Sequence, residues 1–134
     1  MPIAFQVFCH VIGDFFLQSD WQASNKYTNE GVALFHAALY TLPFLILAQA
    51  LLLPWSWKAL AVICLTHAII DHYKVANYVA WAKNWIGFKR PKPWAECRAT
   101  GYDPERPLWL TVWLGIITDN SMHLVINYLA LRYL

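Results

Sequence analysis

The sequence predicts an all-α protein, a four-helix transmembrane bundle with polar residues buried between its helices. Three observations predict this class. Hydrophobic residues make up 59% of the 134 residues and charged residues only 13%, whereas soluble domains are about half apolar and about a quarter charged. The apolar residues fall into four segments of about the length that a bilayer requires. The chain also contains eight Trp and seven Tyr, whose amphipathic rings collect at membrane interfaces. We expect a single integral membrane domain over residues 1–134.

The four apolar segments predict helices over about residues 2–19, 32–53, 57–84 and 108–132. After the first segment, Asp20 or Ser24 could cap a short interfacial helix. In the second segment Pro43 could introduce a kink, and Pro54 ends the segment. Only a few residues separate the second segment from the third, which predicts an antiparallel hairpin. The third segment is expected to be one continuous helix that projects beyond the membrane.

A polar loop over residues 87–107 joins the third and fourth segments and contains five of the ten Lys and Arg residues. Basic residues are enriched in cytoplasmic loops, so this loop and the first polar loop, which contains Lys26, are predicted to lie in the cytoplasm, with both termini outside. The basic stretch from Lys83 to Arg106 is interpreted as an anchor on anionic membrane lipid. A docking surface for a protein partner, or an oligomer, is the alternative. The net charge of only +2 does not favour nucleic-acid binding.

Ionisable residues recur inside the apolar segments at helical spacing. His67, Asp71 and Lys74 stand at positions i, i+4 and i+7 and therefore project from one stripe of a helix. Ionisable groups are costly at the centre of a bilayer, so such a stripe needs partners.

Partners for this stripe occur in the other apolar segments. The first segment has His10 and Asp14 at the same spacing, the last has Asp119 and His123 in reverse order, and the second contributes His36. The predicted topology places these groups at a common depth, between the midplane and the cytoplasmic face. We therefore expect one shared, buried polar site.

A divalent metal ion best explains this mixture of ligands. Imidazole nitrogens and carboxylate oxygens together suit zinc, with manganese and iron as alternatives, and i, i+4 spacing lets two ligands of one helix reach one ion. The predicted metal ligands are His10, Asp14, His67, Asp71, Asp119 and His123. Six ligands exceed the need of one tetrahedral ion. Either two ions are held, or some carboxylates orient other ligands or act as a general base.

Three residues are predicted to be catalytic: Asp71, Lys74 and His36. His36, with Tyr40 one turn further along, is a further ligand or a proton donor. Lys74 could balance the charge of Asp71 or hold an anionic substrate group such as a phosphate. Lys26, in the first polar loop, could serve an anionic head group in the same way.

The polar motifs follow one another as His10-x-x-x-Asp14, His36-Ala37-x-x-Tyr40, His67-x-x-Ile70-Asp71-x-x-Lys74 and Asp119-x-x-x-His123. In order and spacing they resemble a family of small bacterial and phage membrane proteins, the domain of unknown function 3307. The resemblance covers almost the whole chain and implies membrane location and a shared polar site, but no particular reaction. In the family pattern a Gln follows the last Asp, where this chain has Asn120.

These observations favour a membrane-embedded, metal-dependent hydrolase that acts on a lipid or lipid-linked substrate from the cytoplasmic side. A proton or metal-ion conduit is one alternative, because chains of Asp and His line such paths. The other alternative is a non-enzymatic membrane interaction protein in which the polar network holds the bundle together.

Overall fold

The computed structural model describes residues 2–87 and 90–134. These residues contain no strand, and the predicted all-α class is confirmed for them. The helices are α1 (Ile3–Val11), α2 (Asp20–Asn25), α3 (Glu30–Ala50), α4 (Trp57–His72), α5 (Val75–Lys83), α6 (Trp94–Cys97) and α7 (Leu108–Tyr133). A π-helical turn at Ile12–Phe16 follows α1, and a 3-10 turn at Asn84–Ile86 follows α5. The chain forms two compact units, residues 1–73 with 123–134, and residues 74–122.

Length and composition identify one described helix, α3, that could cross a membrane by itself. A second candidate span results only if α4 is counted together with Val75–Ile86, across the break between them. The apolar stretch Ile3–Phe16 is shorter than a span. Four transmembrane helices therefore stay a prediction.

The core of the first unit consists of an apolar layer and a polar layer. The apolar layer packs side chains from α1, α3, α4 and the end of α7, namely Phe5, Cys9, Tyr40, Phe44, Ala48, Ala59, Ile63 and Ala130. The neighbouring turns of the same helices carry buried polar side chains, His10, His36, His67, Asp71, His123 and Asn127. One helix can serve both layers because its buried stripe continues at 3.6-residue spacing. The polar side chains are thereby gathered at one end of the core of this unit.

The first helix changes from α-helical to π-helical geometry at Ile12–Phe16. The amide of Leu17 donates to the carbonyl of Ile12 at 3.0 Å, a bond across five residues that defines a π-turn. Within this turn, Gly13 is buried against α3. A Cβ at Gly13 would lie 2.5 Å from Tyr40 Cδ2 and 2.9 Å from the Tyr40 carbonyl oxygen. Glycine therefore permits the close approach that brings the neighbouring Asp14 to α3.

The predicted short helix after the first segment is present as α2, but Ser19 caps it in place of Asp20 or Ser24. The Ser19 hydroxyl accepts from the amide of Gln22 at 3.3 Å, and the Gln22 side chain accepts from the amide of Ser19 at 2.8 Å. This reciprocal arrangement is a capping box. The capped helix leads directly to Lys26, its C-terminal flanking residue.

The prediction of one continuous helix over residues 57–84 is wrong, because the chain leaves helical geometry at Lys74. This residue is left-handed, with a φ of 50°. The end of α3 is similar: Leu52 has a φ of 53°, and the amide of Leu53 donates to the carbonyl of Ala48 at 2.8 Å. Left-handed geometry costs a residue with a Cβ about 1–2 kcal/mol. The end of α3 was predicted from Pro54, whereas the break at Lys74 is marked by neither glycine nor proline, which is why the sequence did not reveal it.

The predicted irregular loop over residues 87–107 is partly folded in the second unit. It contains α6, and it is fastened to α5. The indole nitrogen of Trp81 donates to the carbonyl of Lys92 at 3.0 Å, and the ring of Trp94 stacks on Tyr78 with centroids 4.2 Å apart. Through these contacts, part of the segment that was predicted as a polar loop is folded against α5.

We expect Gly13→Ala to lower the free energy of unfolding by about 1–3 kcal/mol, the usual range for overpacking a tight contact. The added methyl group would meet the backbone of Tyr40 as well as its ring, so a change of rotamer cannot relieve the clash. Thermal unfolding followed by circular dichroism measures this effect.

Gly115→Ala is the matched control, because among the described residues no atom outside its own helical turn lies within 4 Å of a Cβ built at that position of α7. It should be neutral or slightly stabilising, since alanine favours helices over glycine by about 1 kcal/mol. An equal loss of stability in both variants would contradict the tight contact at Gly13.

Candidate metal centre

Four polar side-chain atoms from three helical segments converge in the polar layer of the first unit. Asp14 Oδ1 comes from the π-turn, His36 Nε2 from α3, and His67 Nε2 and Asp71 Oδ2 from successive turns of α4. The two imidazole nitrogens lie 3.0 Å apart, and each lies 3.3 Å from Asp14 Oδ1. Asp71 Oδ2 lies 3.1 Å from His67 Nε2 and 3.5 Å from His36 Nε2. We call these atoms the four-atom cluster.

One hydrogen bond cannot pair His36 Nε2 with all of its neighbours. The amide nitrogen of Gln18 also lies 3.0 Å from His36 Nε2, so that one ring nitrogen faces an amide donor, two carboxylate acceptors and another imidazole. A ring nitrogen either donates one hydrogen or accepts one. Whichever tautomer His36 adopts, its Nε2 can pair with only some of these neighbours.

A cation could be shared by these groups, because imidazole nitrogens and carboxylate oxygens can each present a lone pair to it. Ligands about 2.0–2.1 Å from a tetrahedral ion are separated from one another by about 3.3 Å. The two imidazole nitrogens lie 3.0 Å from each other and 3.1 to 3.5 Å from the two carboxylate oxygens. Two triads of residues, His36 with His67 and Asp71, and Asp14 with His67 and His123, have ligand atoms within 4.8 Å of one another. The buried His and Asp groups of the first unit could therefore hold a metal ion.

The far sides of the two central imidazoles are buried without protein partners. Neither His36 Nδ1 nor His67 Nδ1 has a hydrogen-bond partner among the described residues. No protein acceptor therefore fixes the proton on either ring. The contacts of both rings with charged groups are made through their Nε2 atoms.

Lys26 supplies the positive charge closest to the cluster. Its ammonium donates to Asp71 Oδ2 at 2.7 Å, with only 9% of the Lys26 side chain and 3% of the Asp71 side chain exposed. Burial alone would lower the pKa of Lys26, but the Asp71 carboxylate raises that pKa above its ordinary value. With neutral imidazoles, the two carboxylates of Asp14 and Asp71 exceed the single ammonium by one negative charge. This excess favours a cation at the cluster.

Other side chains of the polar layer, from α1 and α7, support the four-atom cluster. The hydroxyl of Tyr40 lies 2.8 Å from His10 Nδ1 and accepts from Asn127 Nδ2 at 2.6 Å. The same nitrogen of His10 lies 3.4 Å from Asp14 Oδ2. Tyr40 also stacks on the ring of His67, with centroids 3.8 Å apart. These contacts fix the orientation of both Asp14 and His67.

The structure brings together most of the residues predicted for the site. His123 Nε2 lies 3.5 Å from Asp71 Oδ1, the oxygen that faces away from the four-atom cluster. Asp119 lies on α7 in the second unit, half-buried and one turn before His123. Lys74, the first residue of the second unit, is exposed and has a left-handed φ of 50°. In the first unit, Lys26 supplies a cation beside Asp71.

His36, predicted to be catalytic as a further ligand or a proton donor, lies in the four-atom cluster. One feature of the site was not assigned by sequence reasoning. The pairing of Lys26 with Asp71 links residues 45 positions apart, and no periodic pattern relates them. The one sequence feature that could have indicated this pair is the position of Lys26 close to an apolar segment in a chain with few charges.

Residues 3–99 match a family described as a protein of unknown function, DUF3307. No curated protein and no solved structure matches the chain. The matched residues include the whole four-atom cluster and Lys26.

We expect Lys26→Met to destabilise the protein by about 3–5 kcal/mol, because it leaves the Asp71 carboxylate buried without its partner. Chemical unfolding of the purified protein measures this. Lys26→Met combined with Asp71→Asn should cost less than the sum of the two single changes. Lys58→Met, at an exposed position of α4, is the control and should stay within about 0.5 kcal/mol of the wild type. Additive single changes would contradict the buried pair.

The ion pair also predicts the pH dependence of stability at high pH. Because the pKa of Lys26 is raised in the folded protein, its contribution is fully present below the ordinary value of 10.5. It is lost as the pH rises through the higher value of the folded state. Unfolding titrations above neutral pH should therefore show a loss of stability in the wild type that is absent from Lys26→Met.

Proposed function

The chain belongs to the DUF3307 family, whose function is unknown, and we propose that it is a membrane-embedded, metal-dependent hydrolase that acts on a lipid or lipid-linked substrate from the cytoplasmic side. The observation that carries this proposal is the four-atom cluster, in which two imidazoles and two carboxylates face one point in an otherwise apolar helical protein. Buried ionisable groups inside apolar helices are expensive and are usually retained for function.

We assign His36, His67 and Asp71 as the metal ligands and Asp14 as the general base or fourth ligand. Two imidazole nitrogens together with carboxylate oxygens favour zinc over manganese and iron. When bound, such an ion lowers the pKa of water toward neutrality and polarises the bond that is to be cleaved.

Asp14 is suited to accept a proton from water. Its side chain is 12% exposed, compared with 0% for His36 and 1% for His67, so it marks the most accessible side of the cluster. One of its oxygens faces the two imidazoles, and the other lies 3.4 Å from His10 Nδ1. A proton taken up by Asp14 can move on to His10, which lies within hydrogen-bonding distance of Tyr40.

The distribution of polar and apolar side chains in the first unit supports a membrane setting. The polar groups are buried, while α1, α3 and α4 expose large apolar side chains on their outer faces, among them Phe8, Phe35, Ile46, Leu65 and Ile69. A soluble protein of this size rarely exposes so much contiguous apolar surface. The polar layer lies at the end of the core nearest Lys26 and the first polar loop, which the distribution of basic residues predicts to be cytoplasmic.

The apolar layer favours hydrolysis over ion conduction. The buried polar groups continue from the four-atom cluster to Tyr40 and Asn127. The rest of the apolar layer consists of side chains such as Phe44 and Ile63, and Gln6 on α1 is a further buried polar residue of the first unit. A conduit needs polar groups or water across the whole thickness of the protein, whereas a site for catalysis needs access from one side only.

Metal analysis of the purified protein tests the first half of the proposal. We expect the wild type to retain a divalent ion after extensive dialysis, and His36→Ala and His67→Ala to lose most of it, because each removes a nitrogen ligand. His72→Ala is the matched control, since its ring nitrogen lies 2.9 Å from the carbonyl of Lys26 and outside the cluster. A metal-free wild type, or equal loss in the His72 variant, would overturn the site.

Hydrolysis is tested with protein reconstituted in vesicles of bacterial phospholipids, by mass spectrometry of the lipids and of released water-soluble products. We expect metal-dependent cleavage that falls about 100-fold or more in Asp14→Asn, the usual contribution of a general base. This variant should keep a bound metal ion if His36, His67 and Asp71 suffice as ligands. Retention of metal without any lipid product, in the wild type, would leave a metal site without the proposed activity and refute the hydrolase.

A further inference from the structure

The second unit contains an open pocket of about 360 Å³ that is lined mainly by polar side chains. It lies between the end of α5 and the segment before α7, and the lining residues that matter here are Lys83, Arg90, Tyr102, Asp103 and Arg106. Its volume is at the lower end of the range for small-molecule sites, about 300–1,000 Å³. Residues 88 and 89 lie outside the described part of the chain and are not included in this pocket.

The charges around the pocket favour an anion. Lys83, Arg90 and Arg106 contribute three positive charges, and Asp103 is the single acidic group among the described lining residues. The carboxylate of Asp103 lies 3.1 Å from Lys92 Nζ, which also lies 2.7 Å from Glu105 Oε1, so Asp103 subtracts at most one charge from the three cations of the lining. The lining therefore presents an excess of positive charge.

Two of the lining residues are held in place by the protein. The ammonium of Lys83 donates to the hydroxyl of Thr118 at 2.8 Å and lies 5.4 Å from the centre of the Tyr102 ring. Tyr102 is only 7% exposed, and its hydroxyl is buried without a hydrogen-bond partner among the described residues. A buried hydroxyl without an acceptor is costly, and an acceptor oxygen of a ligand would remove that cost.

We infer that this pocket binds a phosphate group. Guanidinium groups bind phosphate through paired, charge-assisted hydrogen bonds, and Arg90 and Arg106 provide two of them beside the fixed ammonium of Lys83. Tyr102 provides a hydroxyl donor. The phosphate belongs either to a free phosphate ester or to the head group of an anionic phospholipid. The inference does not depend on the metal site, because every residue that carries it belongs to the second unit.

Isothermal titration calorimetry of the full-length protein in a neutral detergent tests the pocket. The probes are inorganic phosphate and short-chain phosphatidic acid, with short-chain phosphatidylcholine as the uncharged comparison. Arg90→Gln and Arg106→Gln should each weaken binding of the phosphate-bearing probe by about tenfold or more, the effect of losing a charge-assisted hydrogen bond. Both residues are exposed, so these variants should fold. Tyr102→Phe is an independent variant that removes the hydroxyl donor and preserves the ring beside Lys83.

Arg98→Gln is the matched control, because it removes one positive charge from the same segment at an exposed position outside the pocket lining. Binding of inorganic phosphate that weakens only in the pocket variants identifies a site for free phosphate esters. Binding of phosphatidic acid alone, with the same pattern of variants, identifies a lipid head group. No binding of either probe, or equal weakening by Arg98→Gln, would overturn the inference. Repeating the titration with His36→Ala separates the two proposals, because phosphate binding should persist when the metal site is lost.

Discussion

Buried charge in an apolar protein is the constraint on which the structure of the first unit depends. Two carboxylates, Asp14 and Asp71, are held among helices whose outer faces are apolar. Such groups are tolerated only when cations or hydrogen-bond donors surround them. Lys26 compensates for one of the two negative charges, and the imidazoles complete the surroundings. With neutral imidazoles, the remaining negative charge favours a cation at the four-atom cluster.

The same constraint explains the division of the core into two layers. Helices α3 and α4 each use one continuous buried stripe, in which the residues change from polar to apolar at Tyr40 and between Ile63 and His67. Tyr40 belongs to both layers, since its ring packs in the apolar layer and its hydroxyl contacts His10 and Asn127. The apolar layer contributes stability that the polar layer lacks. The protein can therefore keep buried charges at one end of a well-packed core.

The sequence predicted the regular features of this protein and missed the irregular ones. The apolar segments identified α3 and α7 to within a few residues, and helical spacing placed His67 and Asp71 on one face of α4. The left-handed residues Leu52 and Lys74 were not predictable, because neither is a residue type that favours that conformation. Spacing within one segment also carries no information about partners from another. The pairing of Lys26 with Asp71 depends on how separate helices pack, which a single sequence does not specify.

The structure depends on the exact number of residues in the π-turn at Ile12–Phe16. A π-turn accommodates one residue more than the α-helical turn it replaces. Deleting a single residue there would restore a regular helix, and it would rotate Gln18 by about 100° relative to α1. The side chains before and after the turn could then no longer face α3 together. Evolutionary insertions and deletions should consequently be excluded between His10 and Gln18, while the connection between α3 and α4, which contributes nothing to the cluster, is free to vary in length.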